Sequence, residues 1–253
     1  MLYGEHAFID RFAAAATDGF KGIEFMFPYD HSKEDIARQL RANGQEQVLF
    51  NLPAGNWAAG ERGIACHADR VDEFRAGVGR AIDYAKALGN RQINCLAGIA
   101  PALTPPALTR RTFVDNLRFA DEALGRTGLR LLVEPVNTLD IPGFFLSRTN
   151  DAESILKEIG SDNLFIQYDL YHMQVMQGDL AQTFIRLKDR IAHIQVADNP
   201  GRNEPGTGEI NYPFLFDLLD REGYSGWIGC EYRPVGKTSD ELRWMKNATG
   251  GHK

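Results

Sequence analysis

The stretch RLLVEPVN, residues 130–137, carries three strand-forming apolar residues, Leu131, Leu132 and Val133, straight into Glu134. Burying an ionised carboxylate is costly unless it is paired, protonated or bound to a metal. Glu134 therefore needs a partner. The same question can be put to the other apolar runs of the chain.

Runs of this kind recur along the sequence: GIEFMF (22–27), QVLFNLP (47–53), RQINCLAG (91–98), RLLVEPV (130–136), LFIQYD (164–169), IAHIQVAD (191–198) and WIGCEY (227–232). Segments of helical period lie between them, among them VDEFRAGVGRAIDYAKALG (71–89), TFVDNLRFADEALG (112–125) and DAESILKEIG (151–160), each closed by a glycine. Unbroken alternation of strand and helix predicts a parallel sheet with helical crossovers, and no Ser/Pro-rich linker divides it. One domain spanning 1–253 is expected.

An open doubly wound sheet and a (βα)₈ barrel both fit this alternation. No GxGxxG or GxxxxGK[ST] follows any strand, so the nucleotide-binding open sheet loses its main support. The chain opens almost at once on a helical segment, HAFIDRFAAAATDG (6–19), with MLYGE ahead of it. The expected fold is therefore an α/β TIM barrel whose first strand is absent or reduced to the stub Met1–Tyr3. A barrel short of one strand exposes two unpaired edges.

In such barrels chemistry sits at the carboxyl ends of the strands. Four polar residues stand near the exits of four successive strands: Glu134, Asp169, Gln195 and Glu231. Their flanking residues, Val133, Tyr168, Val196 and Cys230, would face the helices, so period-two alternation lets all four point into the lumen. Any one of them alone reads more simply as a cap or a solvated group. Three carboxylates and an amide oxygen converging on an apolar mouth call for a cation, and an all-oxygen set suits Mg²⁺ or Mn²⁺ better than zinc or copper.

Other signals are weaker. His172, three residues after Asp169, could reach a substrate oxygen or simply cap a turn. His193 shares a face with Gln195 one layer deeper and reads as a core histidine, and Glu24 as a lumen partner for a basic residue. Arg62 and Arg202 lie on loops after strands, where a guanidinium could fork onto a substrate carboxylate. The glycines of PGTGEIN (205–211) could form an anion nest, with a plain turn the simpler reading.

Composition narrows the partners. With 253 residues, 43% hydrophobic, the chain can bury a large core. Lysine and arginine number 28 against 34 acidic residues, a net charge of -6, and no basic run appears, so a nucleic-acid or anionic-membrane partner is not expected. Cys66, Cys95 and Cys230 are few, far apart and without CxxC spacing, which points to a reducing compartment. No apolar run approaches the ~20 residues a membrane span needs. The N-terminus shows no signal-peptide core, so a cytoplasmic protein is expected.

FKGIEFMFPYD, FNLPAGNWAAGERGIAC, NCLAG, LLVEPVN with IPGFFL, IQYDLYHMQ, HIQVADNPGRNEPGTGEINY and GWIGCEY together resemble the hydroxypyruvate isomerase family of xylose-isomerase-like TIM barrels, over nearly the whole chain. The resemblance implies a divalent metal held by Glu134, Asp169, Gln195 and Glu231, the two glutamates doubling as proton-transfer groups, and His172 beside the substrate. It implies interconversion of hydroxypyruvate and tartronate semialdehyde, with a 2-oxo-tetronate isomerase or ketose epimerase of the same group, or a non-catalytic sugar-acid binder, as alternatives. Metal-dependent phosphodiester cleavage, known in endonuclease relatives of this barrel, would favour more histidine ligands and a basic groove. Barrels of this kind often pair, so a homodimer is expected, although no exposed stripe marks its interface.

Overall fold

The computed structural model describes residues 1–248, so residues 249–253 of the expected 1–253 domain lie outside the described residues. Seven strands form one parallel sheet in chain order: β1 (Gly22–Glu24), β2 (Glu46–Asn51), β3 (Gln92–Cys95), β4 (Arg130–Val133), β5 (Leu164–Asp169), β6 (Ile191–Val196) and β7 (Ile228–Cys230). The helices are α1 (Arg11–Thr17), α2 (Lys33–Ala42), α3 (Val71–Leu88), α4 (Pro106–Gly125), α5 (Thr149–Ile159), α6 (Leu170–Met176), α7 (Leu180–Leu187), α8 (Tyr212–Arg221) and α9 (Arg243–Ala248). Among the described residues this is a near-closed TIM barrel of seven staves.

Each apolar run of the sequence supplies one strand, but several strands are shorter than the runs. The run 22–27 keeps only three regular residues in β1, because the register shifts between Ile23 and Glu24, although the Phe25 N–H still donates to Leu49 O (3.3 Å) and Met26 O accepts from Asn51 N–H (2.9 Å). Conversely, α4 starts at Pro106, six residues before the expected 112, because a proline lacking N–H is accommodated in the first helical turn. The stub Met1–Tyr3 is not a strand. Tyr3 takes a left-handed φ of 56°, its N–H donates to Thr238 Oγ1 (2.8 Å), and its hydroxyl donates to Asp18 (2.8 Å), so the segment is held by turns and side chains.

Among the described residues, β7 and β1 are therefore not joined by a ladder. Side chains fill that side instead: a Cβ on Gly22 would come within 3.0 Å of the Trp227 ring, and Gly229 lies directly against the Glu24 carboxylate.

Alternation sorts the strand residues as the barrel demands. Leu131, Val133, Ile166, Tyr168, Ile194 and Val196 are buried in one apolar cluster with Phe74, Phe113, Leu117 and Phe184 of the surrounding helices. Leu132, two residues before Glu134, packs instead with Val48, Leu49, Phe165 and Ala192 as a separate small cluster. That cluster is the apolar floor beneath the polar mouth.

The loops at the mouth are braced against one another. Any side chain at Gly63 (φ 119°) would collide with the Leu96 carbonyl, so the loops after β2 and β3 meet backbone on backbone. An isolated bridge between Ile99 and Phe144, with Ala100 N–H donating to Gly143 O (2.9 Å), ties the loop after β3 to the loop after β4.

Candidate active site

Glu134 follows the last residue of β4, Asp169 ends β5 and Glu231 follows β7, so three acids stand at three strand exits as the sequence suggests. Glu134 is 5% exposed and its Oε2 accepts one hydrogen bond, from Asn94 Nδ2 at 3.0 Å. Asp169 is fully buried. Its Oδ1 accepts the N–H groups of Tyr171 (2.8 Å) and His172 (3.2 Å), capping α6. Its Oδ2 is buried without a hydrogen-bond partner.

Arg202 enters this group from the loop after β6. Its Nη2 donates to Glu231 Oε1 at 2.6 Å and lies 3.6 Å from Asp169 Oδ2, while its guanidinium covers the Tyr171 ring at 5.2 Å. The backbone that delivers it is left-handed at Arg202 (φ 57°) and is organised by Asp198. The buried Asp198 carboxylate accepts from the N–H groups of Asn199 (2.9 Å), Ile210 (3.0 Å) and Gly206 (2.7 Å). The PGTGEIN glycines thus form a turn closed on the protein's own carboxylate, as the simpler of the two expectations had it.

His172 sits on the first turn of α6, 2% exposed, with Nε2 3.8 Å from Glu134 Oε1 and 3.7 Å from Asp169 Oδ2. Gln195 pairs in register with Asp169 across the β5–β6 ladder. Its Oε1 accepts from Gln167 Nε2 (2.6 Å), and its Nε2 donates to Glu24 Oε1 (3.0 Å), whose Oε2 meets His193 Nε2 at 2.6 Å. The structure thus ties the Gln195 amide to lumen neighbours below the acids. Arg62 turns back on its own loop, donating to the carbonyls of Trp57 (3.1 Å) and Glu61 (2.8 Å) and stacking on the Trp57 ring at 4.2 Å. Of the two candidate arginines, Arg202 is the one beside the acids.

Electrostatics separate the layers. Burial, reinforced by Glu231 and Asp169, holds the Glu134 carboxyl well above the usual range, against the opposing pull of Arg202 and Asn94. Burial also raises Asp169 and Glu231, and Arg202 opposes it in both. Burial lowers His172 to about 3, helped by the Arg202 charge, so the ring is neutral. Burial works against the charge of Arg202, yet Glu231, Asp169 and Glu134 more than offset it and its pKa rises.

The donor set fits a divalent cation. Carboxylate oxygens of Glu134 and Asp169 lie within 4.8 Å of each other beside His172, Asp169 Oδ2 is a buried acceptor with no donor, and the surrounding acids raise the proton affinity of Glu134. Carboxylate oxygens are the ligands a hard ion takes. Sequence reasoning missed Asn94, Asn137, Asp140 and Tyr171. Asn94 had a signal, since its fully buried amide lies on β3 in pairing register with Leu132, on the same face of the sheet. The others belong to loop and helix-start geometry.

A parallel barrel gathering buried acids at the carboxyl ends of its strands is the layout of a barrel enzyme. Residues 12–248 match the xylose isomerase-like TIM barrel family, and the chain belongs to it. It is 52% identical to the hydroxypyruvate isomerase of Escherichia coli, over 97% of this chain and 95% of that one. It is 50% identical to the 2-oxo-tetronate isomerase of Cupriavidus necator, over 99% and 96%. A crystal structure from Brucella melitensis, described as an AP endonuclease of family 2, superimposes with a TM-score of 0.95 at 43% identity, covering 97% of this chain and 95% of that one. Its near full-length relatives make the chain an isomerase by class.

Proposed function

We propose that this isomerase is a single barrel domain that interconverts hydroxypyruvate and tartronate semialdehyde by proton transfer between adjacent carbons. The observation that carries the proposal is the triad of mutually repelling acids, the buried Glu134 and Asp169 and the partly buried Glu231, gathered about one guanidinium. In the forward direction the C3–H bond of hydroxypyruvate breaks, its proton passing to one glutamate, and a C–H bond forms at C2 with a proton from the other. The hydroxyl proton moves between the two oxygens, so carbonyl and hydroxyl exchange places through an enediolate.

Glu134 and Glu231 are the proposed proton-transfer pair. Their raised proton affinity suits groups that must take and return a proton. Asp169, Glu134 and Glu231 would hold a divalent ion, Mg²⁺ or Mn²⁺, with Gln195 completing the set once its amide leaves its partner Gln167. When bound, the ion supplies positive charge for the enediolate oxygens. Arg202 orients the substrate carboxylate, and His172 lies beside the reacting oxygens. A reducing, cytoplasmic setting suits the three free thiols Cys66, Cys95 and Cys230. No helix among the described residues is long and apolar enough to cross a membrane.

A 2-oxo-tetronate substrate is the second reading, favoured by the relative at 50% identity. The chemistry would be the same with one more carbon in the pocket. Phosphodiester cleavage finds less support, because His172 is the one histidine grouped with the acids among the described residues and the chain carries a net charge of -6. Purified protein with Mg²⁺ or Mn²⁺ should be assayed side by side on hydroxypyruvate, 2-oxo-tetronate and several ketoses. Hydroxypyruvate is expected to give the highest kcat/KM, and metal binding without turnover of any of them would overturn the proposal.

A further inference from the structure

Asn137, in the loop after β4, and His172, on α6, face each other across the mouth, both buried. The Oδ1 of Asn137 accepts the backbone N–H of Asp140 at 2.7 Å. A backbone N–H can only donate, so this bond fixes which end of the amide is oxygen. The other end, Nδ2, then lies 2.7 Å from His172 Nδ1, with Asp140 Oδ2 as its second acceptor at 3.2 Å. The backbone N–H of Asn137 points at the same Nδ1 from 3.4 Å. Two N–H groups converge on a nitrogen that can accept from either of them only while it carries no proton.

We propose that Asn137 locks His172 as the Nε2–H tautomer, so that the ring offers a hydrogen-bond donor and no lone pair to the space between Glu134 and Asp169. Asn137 is a positioning residue, and His172 is the group that meets substrate. Although Nε2 lies within a metal cage's distance of two carboxylates, its proton removes it from the set of ligands and leaves an ion to the oxygens. A donor at that point serves the substrate carbonyl, whose oxygen gains charge as the neighbouring carbon loses its proton. This role for His172 rests on the isomerase reading above, whereas the tautomer does not.

The test is ¹⁵N NMR of histidine-labelled protein, with His172 assigned by a His172→Asn variant, recorded with and without Mg²⁺. A protonated Nε2 and a bare Nδ1 are expected in both samples. An Nδ1–H tautomer, an imidazolium, or a coordination shift of Nε2 on adding Mg²⁺ would overturn the proposal. In Asn137→Asp a carboxylate oxygen replaces the Nδ2 donor and draws the proton to Nδ1. That variant is expected to show the swapped tautomer and a kcat on hydroxypyruvate about 10–100-fold lower, with KM little changed.

Loss of turnover without the swap would contradict the lock, and a swap without loss would contradict the donor role. Should Asn137→Asp not fold, the wild-type spectrum alone decides. Wild-type protein with the expected tautomer but no turnover would sink the isomerase reading and leave the lock standing.

Discussion

Glu134 and Glu24 are both glutamates whose side chains enter the lumen of the same barrel, yet the protein moves their proton affinities in opposite directions. Burial raises Glu134, and Glu231 and Asp169 push it further. Burial would raise Glu24 too, but the His193 imidazole and the Gln195 amide more than compensate and lower it. The difference is the partners. Glu24 has one donor for each oxygen, whereas Glu134 has a single amide donor and two acids for company. In the lower layer both Glu24 oxygens are satisfied, although Gln167 Oε1 and His193 Nδ1 beside them lack partners; the upper layer is left short of positive charge, which is the basis of the reactivity proposed for it.

The contrast can be broken most sharply at the top. Glu231→Gln keeps the size and the fold but cannot take a proton, so kcat on hydroxypyruvate is expected to fall by ~10² or more while the circular dichroism spectrum is unchanged. Near-normal turnover would remove Glu231 from the mechanism. Arg202→Lys keeps the charge and loses the fork that meets Glu231, and KM is expected to rise about tenfold, read from steady-state kinetics. An unchanged KM would mean that another group holds the substrate carboxylate.

The floor should answer in stability rather than chemistry. Leu132→Ala removes the one fully buried side chain of the cluster under Glu134 and is expected to cost about 2–5 kcal/mol in urea denaturation, with kcat within about twofold of wild type. A large loss of kcat with little loss of stability would blur the division between floor and mouth.

The smallest expected effect lies in how stability depends on pH in chelated protein. Glu134, Asp169 and Glu231 bind protons more tightly folded than unfolded, so their stabilising contribution is complete below unfolded values of about 4 and is lost as pH rises through the folded ones. Glu134→Gln should therefore flatten the fall in urea midpoint between weakly acidic and neutral pH. Glu24 is lowered, so its contribution is present above about 4.3 and is lost as pH falls through its folded value. Glu24→Gln should lower the urea midpoint at neutral pH and converge on wild type in acid. Slopes of the same sign in both variants would erase the distinction between the layers.

The barrel was legible because period-two strands alternating with period-3.6 helices leave few architectures, and every apolar run became a strand. Strand ends were less legible: the β1 register shifts between Ile23 and Glu24, which a run of Ile, Phe and Met does not announce. The acids Glu134, Asp169 and Glu231 could be read from the sequence because each closes an apolar run. Gln195 could be placed on the right face but not with its partners, since its hydrogen bonds to Gln167 on the neighbouring strand β5 and to Glu24 on β1 follow from no periodicity. Asn137 and Asp140 were hidden because loop geometry and a helix-start histidine, rather than any periodicity, bring them to the site. Arg62 and Arg202 looked alike as letters, and only loop geometry turns one onto Trp57 and the other onto Glu231.

The central claim is that the mouth acids gather a divalent cation and use it to move a proton on hydroxypyruvate. The most direct measurement titrates chelated protein with Mn²⁺ while bound ion and hydroxypyruvate conversion are followed together, in wild type and in Asp169→Asn. Activity rising in step with one ion per chain, with both lost in the variant, is the predicted result. Turnover in fully chelated protein, or undiminished Mn²⁺ binding by Asp169→Asn, would contradict it.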